Sequence, residues 1–290
     1  MAGIDINRGT TGVVKLPSEV SQEIWAATSQ QSVVQQLVPQ VSLPGSGVSI
    51  PVVTGDPTAG WVNETDEKPV SASTFDTKIM TPYKLAVIEL FSDEFARDHN
   101  ALWTALIDRL PNALGKKFDE TVFGFSAAPG DNFDTLASAP KIDIKTDPYA
   151  GYLNALGSVS AAGGDVTGWA LSPAAEIGAM SAVDTAKRPL FITDVKSEGS
   201  IGSILARPVY KNNSVAKDTV IGFAGDWQNA AWGNVEGIQI DVNTTGSVTK
   251  DGQQINLWQR NMFAVRAEVE IGFRVRDTQR FAALTNGAAA

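Results

Sequence analysis

The sequence lacks cysteine altogether and has a single histidine, His99, among its 290 residues. Without cysteine, the chain has no disulfide framework, no thiolate metal site and no cysteine nucleophile, so its fold rests on packing alone. Catalysis by a serine or a metal usually needs a histidine with a partner, and the sequence offers no such grouping. We therefore expect a protein that is not a turnover enzyme and that has no metal and no cofactor.

Long apolar runs and an excess of positive charge are also missing. The longest uninterrupted apolar stretches, such as residues 85–88, are far too short to span a bilayer, which predicts no membrane partner. The net charge is −9 and the pI is near 4.7, whereas proteins that grip phosphate backbones do so with clustered Lys and Arg. Tight binding of nucleic acid is therefore not expected. The hydrophobic content of 43% is enough for a globular core.

The most informative stretch of the chain is residues 61–125, which begins with an apolar arm. Period-two alternation over residues 48–52 predicts one strand before the arm, and a returning strand is predicted over residues 77–91. Around a turn-forming segment between them stand the apolar residues Trp61, Val62, Val70, Phe75 and Ile79. Because an isolated two-stranded hairpin is only marginally stable in water, we predict that the arm lies on another surface.

A long helix is predicted after the arm, from about Asn100 toward Phe123, with Gly124 as its end. One face is apolar over its whole length, since leucines and a phenylalanine recur at four-residue spacing: Leu102, Leu106, Leu110, Leu114 and Phe118. Pro111 interrupts this row and predicts a kink, or a boundary between two helices with a turn at residues 110–111.

The rest of the chain reads as an arm at one end and a mixed α/β region at the other. Residues 1–17 are predicted to be extended, and Ser18 is a candidate cap for a helix over residues 19–29. Helices are predicted over residues 148–161 and from Pro173, after the cap Ser172, with a strand over residues 168–171 between them. Short strands recur over residues 201–242. The final strand has one dry face, formed by Phe263, Val265, Ala267, Val269, Ile271, Phe273 and Val275.

Several short motifs, taken in their order along the chain, resemble motifs of the major capsid proteins of tailed double-stranded-DNA bacteriophages. Those proteins have the Hong Kong 97 fold. The motifs are Leu16-Pro17-Ser18-Glu19-Val20, Ala59-Gly60-Trp61-Val62-Asn63-Glu64, Lys84-Leu85-Ala86, Phe91-Ser92-Asp93-Glu94, Phe118-Asp119-Glu120, Ala206-Arg207-Pro208-Val209 and Gly225-Asp226-Trp227. The resemblance implies an α+β fold with an N-terminal arm, an extended β-hairpin loop, a long spine helix with peripheral strands, and a mixed α/β axial domain.

The resemblance also implies how these parts divide the chain. The N-terminal arm and first helix are expected in residues 1–46, and the extended loop in residues 47–91. The peripheral domain with the spine helix is expected in residues 92–146, and the axial domain in residues 147–250. Residues 251–290 are expected to return to the peripheral domain.

By resemblance, the function is structural: the chain would self-assemble as pentamers and hexamers into the icosahedral head shell that encloses the phage genome. The DNA would be enclosed without tight binding, a portal would be a partner, and the protein would occupy the host cytoplasm during assembly and the virion capsid afterwards. Because the chain begins almost directly with the arm, a separate scaffolding protein, or none, is implied; a cement protein is a further candidate partner. The alternative is the shell protein of an encapsulin-like cellular compartment. The N-terminal arm argues against this alternative.

In some members of the family, a lysine on the extended loop forms an isopeptide bond with an asparagine of a neighbouring subunit, assisted by a glutamate. By resemblance, Lys68 would be the lysine, Asn261 the acceptor and Glu268 the base, in a reaction performed once per subunit. The alternative for Glu268 is an ordinary ion pair, because it falls on the charged face of the last strand beside Arg266 and Glu270. The residues expected to contact a neighbouring subunit are Trp61, Val62, Val70 and Phe75.

Overall fold

The structure is a computed structural model that describes residues 13–15, 32–55, 59, 61–62, 67–68, 70, 74–92, 99–182 and 202–287. The helix predicted over residues 19–29 lies outside them. The described helices are α1 (Val33–Leu37), α2 (His99–Val122), α3 (Pro148–Ala161) and α4 (Pro173–Met180). The first eight described strands are β1 (Val13–Lys15), β2 (Gln40–Ser42), β3 (Val48–Gly55), β4 (Thr74–Met80), β5 (Tyr83–Ser92), β6 (Lys141–Asp143), β7 (Gly168–Leu171) and β8 (Gly202–Ile204). The next eight are β9 (Arg207–Lys211), β10 (Val220–Gly225), β11 (Ala230–Asn234), β12 (Gln239–Asn243), β13 (Ser247–Lys250), β14 (Gln253–Asn256), β15 (Met262–Val275) and β16 (Phe281–Thr285).

The last long strand, β15, organises the first sheet. It pairs antiparallel with β5 along one edge, and with β12 and then β11 along the other. The strands β1 and β2 extend this sheet by pairing with β12 and β11 respectively. The alternation predicted from the sequence is confirmed, because the seven residues of its dry face are all buried.

Helix α2 packs against the dry face of the first sheet. Leu110 and Leu114 lie in one apolar cluster with Phe263, Val265 and Val269 of β15. The helix is continuous from His99 to Val122, so the boundary predicted at residues 110–111 is wrong. A proline inside a helix costs about 3 kcal/mol, and burial of leucines on both sides of this position exceeds that cost, since each contributes about 1.5–3 kcal/mol. Gly124, at a φ of 80°, follows the end of the helix as predicted.

The single strand predicted over residues 77–91 is in fact two strands with different partners. β4 pairs with β3 and forms the extended hairpin, whereas β5 pairs with β15 in the first sheet. Thr81 and Pro82 lie between them. Proline has no backbone N–H to donate to a ladder, so the chain leaves one sheet and enters another at this position.

The second sheet has the order β6-β16-β10-β7-β9-β8 and carries α3 and α4 on one face. Trp169 and Leu171 of β7 pack on that face with Tyr152 of α3 and Ala175 of α4. Both helices begin as predicted, because the side chains of Asp147 and Ser172 accept hydrogen bonds from the backbone three residues on. The opposite face meets the end of α2, where the rings of Phe123 and Phe223 stack at 4.7 Å.

The strands of the two sheets alternate along the sequence. β11 and β12 pair with β15 in the first sheet. β16, which follows β15 in the chain, pairs with β10 in the second sheet. The chain crosses between the sheets several times, because each strand joins the edge that offers hydrogen-bond partners, whatever its position in the sequence.

A buried carboxylate, that of Asp119 on α2, joins three parts of the chain. Its Oδ1 accepts hydrogen bonds from Ser32 Oγ at 2.6 Å and from Val34 N at 3.3 Å. Its Oδ2 accepts from Val33 N at 3.1 Å and from Ser214 Oγ at 2.8 Å. The carboxylate therefore caps α1 and ties it to α2 and to the short 3-10 helix that contains Ser214.

Burial dominates the ionisation of Asp119. It raises the pKa to about 6 from the ordinary 3.8, although the hydrogen bonds from the two serines and the two backbone N–H groups lower it. The folded chain therefore holds the proton more tightly than the unfolded chain does. The stabilisation from this proton is complete below the unfolded pKa and is lost as the pH rises through 6.

Replacement of Asp119 by Asn is expected to remove this pH dependence. The stability of the natural chain relative to Asp119→Asn should fall by about 2 kcal/mol between about pH 4 and pH 7, because only the natural side chain loses a proton. Denaturant unfolding of the unassembled chain at a series of pH values measures the difference. Asp165→Asn, which removes an exposed carboxylate, is the matched control. A difference that stays constant with pH would contradict the assignment.

Candidate functional site

The extended hairpin carries its apolar side chains far from the chain's own core. β3 and β4 pair antiparallel from Val48 with Met80 to Gly55 with Thr74. Beyond them, Trp61 is 106% exposed and Val70 is 98% exposed, so neither touches the rest of its own chain appreciably. Val62 and Lys68 are exposed as well. Phe75 lies on β4, but its side chain falls outside the described part of the structure, as do residues 63–66 and Pro69.

Asn261, the predicted acceptor, lies where the chain enters β15. It caps the short 3-10 helix Trp258–Arg260 in a left-handed conformation, at a φ of 50°. Asparagine tolerates this conformation better than most residues do. Asn261 is exposed and lines a surface depression with Thr244, Thr245 and the 73% exposed Trp258. Its amide is therefore open to contact from another chain.

Glu268, the predicted base, lies on the outer face of β15 and is partly buried. Its carboxylate is 3.4 Å from Arg266 Nη1, and Arg266 also donates a hydrogen bond across the strands to Asp241 at 2.8 Å. That hydrogen bond, followed by the charge of Glu268, raises the pKa of Arg266 above its ordinary value. Beside them, Lys84 Nζ lies 3.5 Å from Glu270. The ion pairing that the charged face predicted is confirmed.

Within one chain, Asn261 and Glu268 do not form a site. They are seven residues apart along extended chain, which corresponds to about 23 Å at the usual rise of a strand. General base catalysis requires contact within hydrogen-bond reach, or through one water. Any reaction that uses both residues therefore has to combine them from different copies of the chain.

A second exposed apolar surface lies on the second sheet, where sequence reasoning did not single it out. Tyr149 and Leu153 of α3, and Ile177 and Met180 of α4, are exposed. Helix α3 contains no charged residue, which is unusual for a helix with a solvent face. The signal was present in the sequence as an uncharged helix between two polar segments.

Two carboxylates near the start of α3 have structural roles. Asp143 accepts hydrogen bonds from Lys145 N and Thr146 Oγ1, and Asp147 caps α3. The bond from Lys145 N, above all, lowers the pKa of Asp143. Within the described ranges, no group of three or more His, Cys, Asp or Glu side chains could hold a metal ion. No helix in the described part of the chain is both long and apolar enough to cross a membrane.

Comparison with known proteins places this architecture. The sequence model of the phage capsid family matches residues 12–286. The probable major capsid protein gp17 of Mycobacterium phage L5 is 31% identical over 292 aligned residues, which cover 93% of this chain and 89% of that protein. Its counterpart in Mycobacterium phage D29 is 28% identical and is covered to 90%.

Solved structures agree on the fold at lower sequence identity. A chain from Mycobacterium phage Adephagia superposes with a TM-score of 0.72 at 19% identity, over 90% of this chain and 91% of that one. A chain from Gordonia phage Cozz gives a TM-score of 0.70 at 22% identity, over 89% and 87% of the two chains. Together with the family match along nearly the whole sequence, these similarities show that the chain belongs to the phage capsid family.

Proposed function

We propose that this chain is the major capsid protein of a tailed phage, and that many copies assemble into the icosahedral head shell around the genome. The observation that supports this most directly is the extended hairpin, whose apolar residues Trp61, Val62 and Val70 are exposed in the single chain. Apolar surface of this kind, held out from the body, indicates a protein interface. The occupant of that interface is a neighbouring copy of the same chain.

The electrostatics of the chain suit an enclosing role. A net charge of −9 opposes attachment to phosphate, so packaged DNA is held by the closed shell rather than by direct binding. A portal that admits the DNA is a required partner of such a shell, and a separate scaffolding or cement protein is a further one. Assembly takes place in the host cytoplasm. An encapsulin-like compartment would differ by enclosing an enzyme cargo instead of DNA, and the contents of purified particles distinguish the two.

The isopeptide cross-link is a second part of the proposal. In it, Lys68 Nζ attacks the side-chain carbonyl carbon of Asn261 on another copy, the new C–N bond forms, and the original amide nitrogen leaves as ammonia. Glu268 takes the proton that the attacking amine must lose. Because Glu268 is about 23 Å along the strand from Asn261 of its own chain, the base comes from a different copy than the acceptor. The site is therefore complete only in an assembled shell.

One test of the proposed function concerns the exposed apolar residues Trp61 and Val70 of the hairpin. Trp61→Ser with Val70→Ser should leave the stability of the free chain unchanged, because both side chains are already solvated. Assembly should weaken by at least about tenfold in the concentration required, since each side chain buried on a neighbour contributes about 1.5–3 kcal/mol. Sedimentation and electron microscopy measure assembly.

The control for this prediction is Ile177→Ser on α4, which removes an exposed apolar side chain away from the hairpin. Shells that form at the natural concentration from the Trp61 and Val70 variant would refute the role of the hairpin. An equal defect in the Ile177 variant would show that the loss of assembly is not specific to the hairpin.

A separate prediction concerns the cross-link. Boiling assembled particles in detergent should leave a ladder of covalent oligomers, and Lys68→Arg should abolish the ladder while shells still form, because guanidinium is not nucleophilic near neutral pH. Lys250→Arg, at an exposed lysine of β13, is the matched control. Mass spectrometry of the linked peptides should show the loss of one ammonia. A lone monomer band from fully assembled natural shells would eliminate the cross-link without affecting the shell function.

A further inference from the structure

The extended hairpin poses a mechanical problem that its pairing alone does not solve. Trp61 and Val70 are solvated, and burial of such side chains is favourable wherever a surface is within reach. A hairpin that could swing about its base would therefore bring its apolar end down on its own body. The connection between the hairpin and the first sheet has to resist that motion.

Part of the resistance comes from a buried methionine at the base of the hairpin. Met80, the last residue of β4, is fully buried and packs with Leu43 and Ile50. Two glycines of the first sheet make room for it. A Cβ on Gly272 would lie 2.8 Å from Met80 Cγ, and one on Gly233 would lie 2.7 Å from Val41 O and 3.3 Å from Met80 Cε. Met80 fixes the point at which the hairpin meets the sheet, but a single flexible side chain does not fix a direction.

The direction is set by a cluster of charged residues that we name the root clamp: Lys78, Asp134 and Arg274. Arg274, on β15, donates from Nε to the backbone oxygen of Ile79 at 2.8 Å and from Nη1 to Asp134 Oδ1 at 2.7 Å. Its Nη2 donates to Asn132 Oδ1 at 3.1 Å. All three guanidinium nitrogens are thus used, and the planar fork allows only one orientation of its partners.

Asp134 and Lys78 complete the root clamp from the other side. Asp134 Oδ2 accepts from Val275 N at 3.0 Å and lies 3.4 Å from Lys78 Nζ. Lys78 Nζ also donates to Val275 O at 2.7 Å. Lys78 and Met80 are two residues apart on β4, so they share the face that is turned toward the body. The clamp therefore joins the hairpin, β15 and the connection between α2 and β6.

Partial burial of the root clamp strengthens its hydrogen bonds and ion pairs. The side chain of Arg274 is 11% exposed and that of Asp134 is 22% exposed. Ion pairs at exposed sites contribute little, because solvent screens them and their side chains lose entropy on pairing. A largely buried, branched set of charge-assisted bonds is stronger and more directional.

We propose that Arg274 and Asp134 are positioning residues for shell assembly: they hold the hairpin away from its own chain and present its apolar end to a neighbouring copy. This inference rests on the proposed function, and it concerns the free chain before assembly. If the clamp is broken, the hairpin samples orientations in which its end is covered or misdirected. The apparent affinity between copies then falls in proportion to the fraction of chains whose hairpin is correctly held.

The test measures the hairpin directly in unassembled chains. Because the natural chain has no cysteine, Val70→Cys and Ala113→Cys provide the only two attachment points for spin labels, one on the hairpin and one on the exposed side of α2. Pulsed electron resonance gives the distribution of distances between the labels. We expect one narrow distribution in the otherwise natural chain. Asp134→Asn and Arg274→Lys should each broaden or shift it, although Arg274→Lys keeps the charge.

The matched control is the Arg207–Asp165 pair, which has a similar contact at 2.8 Å but joins β9 to the segment before β7, away from the hairpin. Asp165→Asn and Arg207→Lys should leave the distance distribution unchanged. Thermal unfolding of every variant separates loss of stability from loss of direction. Unaltered distances in Asp134→Asn and Arg274→Lys, whether or not their stability falls, would overturn the proposal.

Assembly provides the second readout. With unlabelled chains, both clamp variants should need at least about tenfold more protein to form shells if the correctly held fraction falls to about one tenth. Normal assembly with a disordered hairpin would overturn the positioning role. Failure of the natural chain to assemble at all would count against the proposed function, whereas the distance measurement would still decide whether the clamp holds the hairpin.

Discussion

The whole structure depends on the hydrogen bonding and packing of one 14-residue strand, β15. Its two edges pair with β5, β11 and β12, and its dry face supports α2. Its outer face carries Arg266, Glu268 and Arg274, and through Arg274 it also directs the extended hairpin. β15 can support α2 on one face and carry charged residues on the other because apolar and polar residues alternate along it, and successive side chains point to opposite faces. A shift of register by one residue would exchange the two faces and lose both roles.

Local periodicity accounts for most of what could be predicted from the sequence. The alternation in β15, the burial of Leu110, Leu114 and Phe118 in the apolar row of α2, and the cap at Ser172 each depend on neighbours within a few positions, and each of these predictions is confirmed. The break at Thr81 and Pro82 was missed although proline marked it, because the apolar residues on both sides continue a strand-like pattern. In α2, by contrast, proline was given too much weight. A boundary was predicted at residues 110–111, but the helix continues through Pro111 because its packing outweighs the lost hydrogen bond.

The contacts that join distant segments could not be read from the sequence. Asp134 and Arg274 are 140 positions apart, and Asp119 and Ser214 are 95 apart. Nothing local distinguishes these carboxylates from the solvated ones around them. The same holds for the candidate cross-linking residues: the resemblance named Lys68, Asn261 and Glu268, but only the extended geometry of β15 shows that one chain keeps the last two apart. The sheet that each strand joins is likewise not readable from local sequence, because its partners lie far away along the chain.

Helix α2 belongs to both halves of the molecule at once. Leu110 and Leu114 pack with the first sheet, whereas Phe118, Val122 and Phe123 lie in the cluster that also contains Phe223 of the second. A helix of 24 residues is about 36 Å long. Because of this length, a change of about five degrees in the tilt of α2 relative to one sheet would move its far end by about 3 Å. The two sheets therefore could not change their relative orientation without repacking one end of this helix.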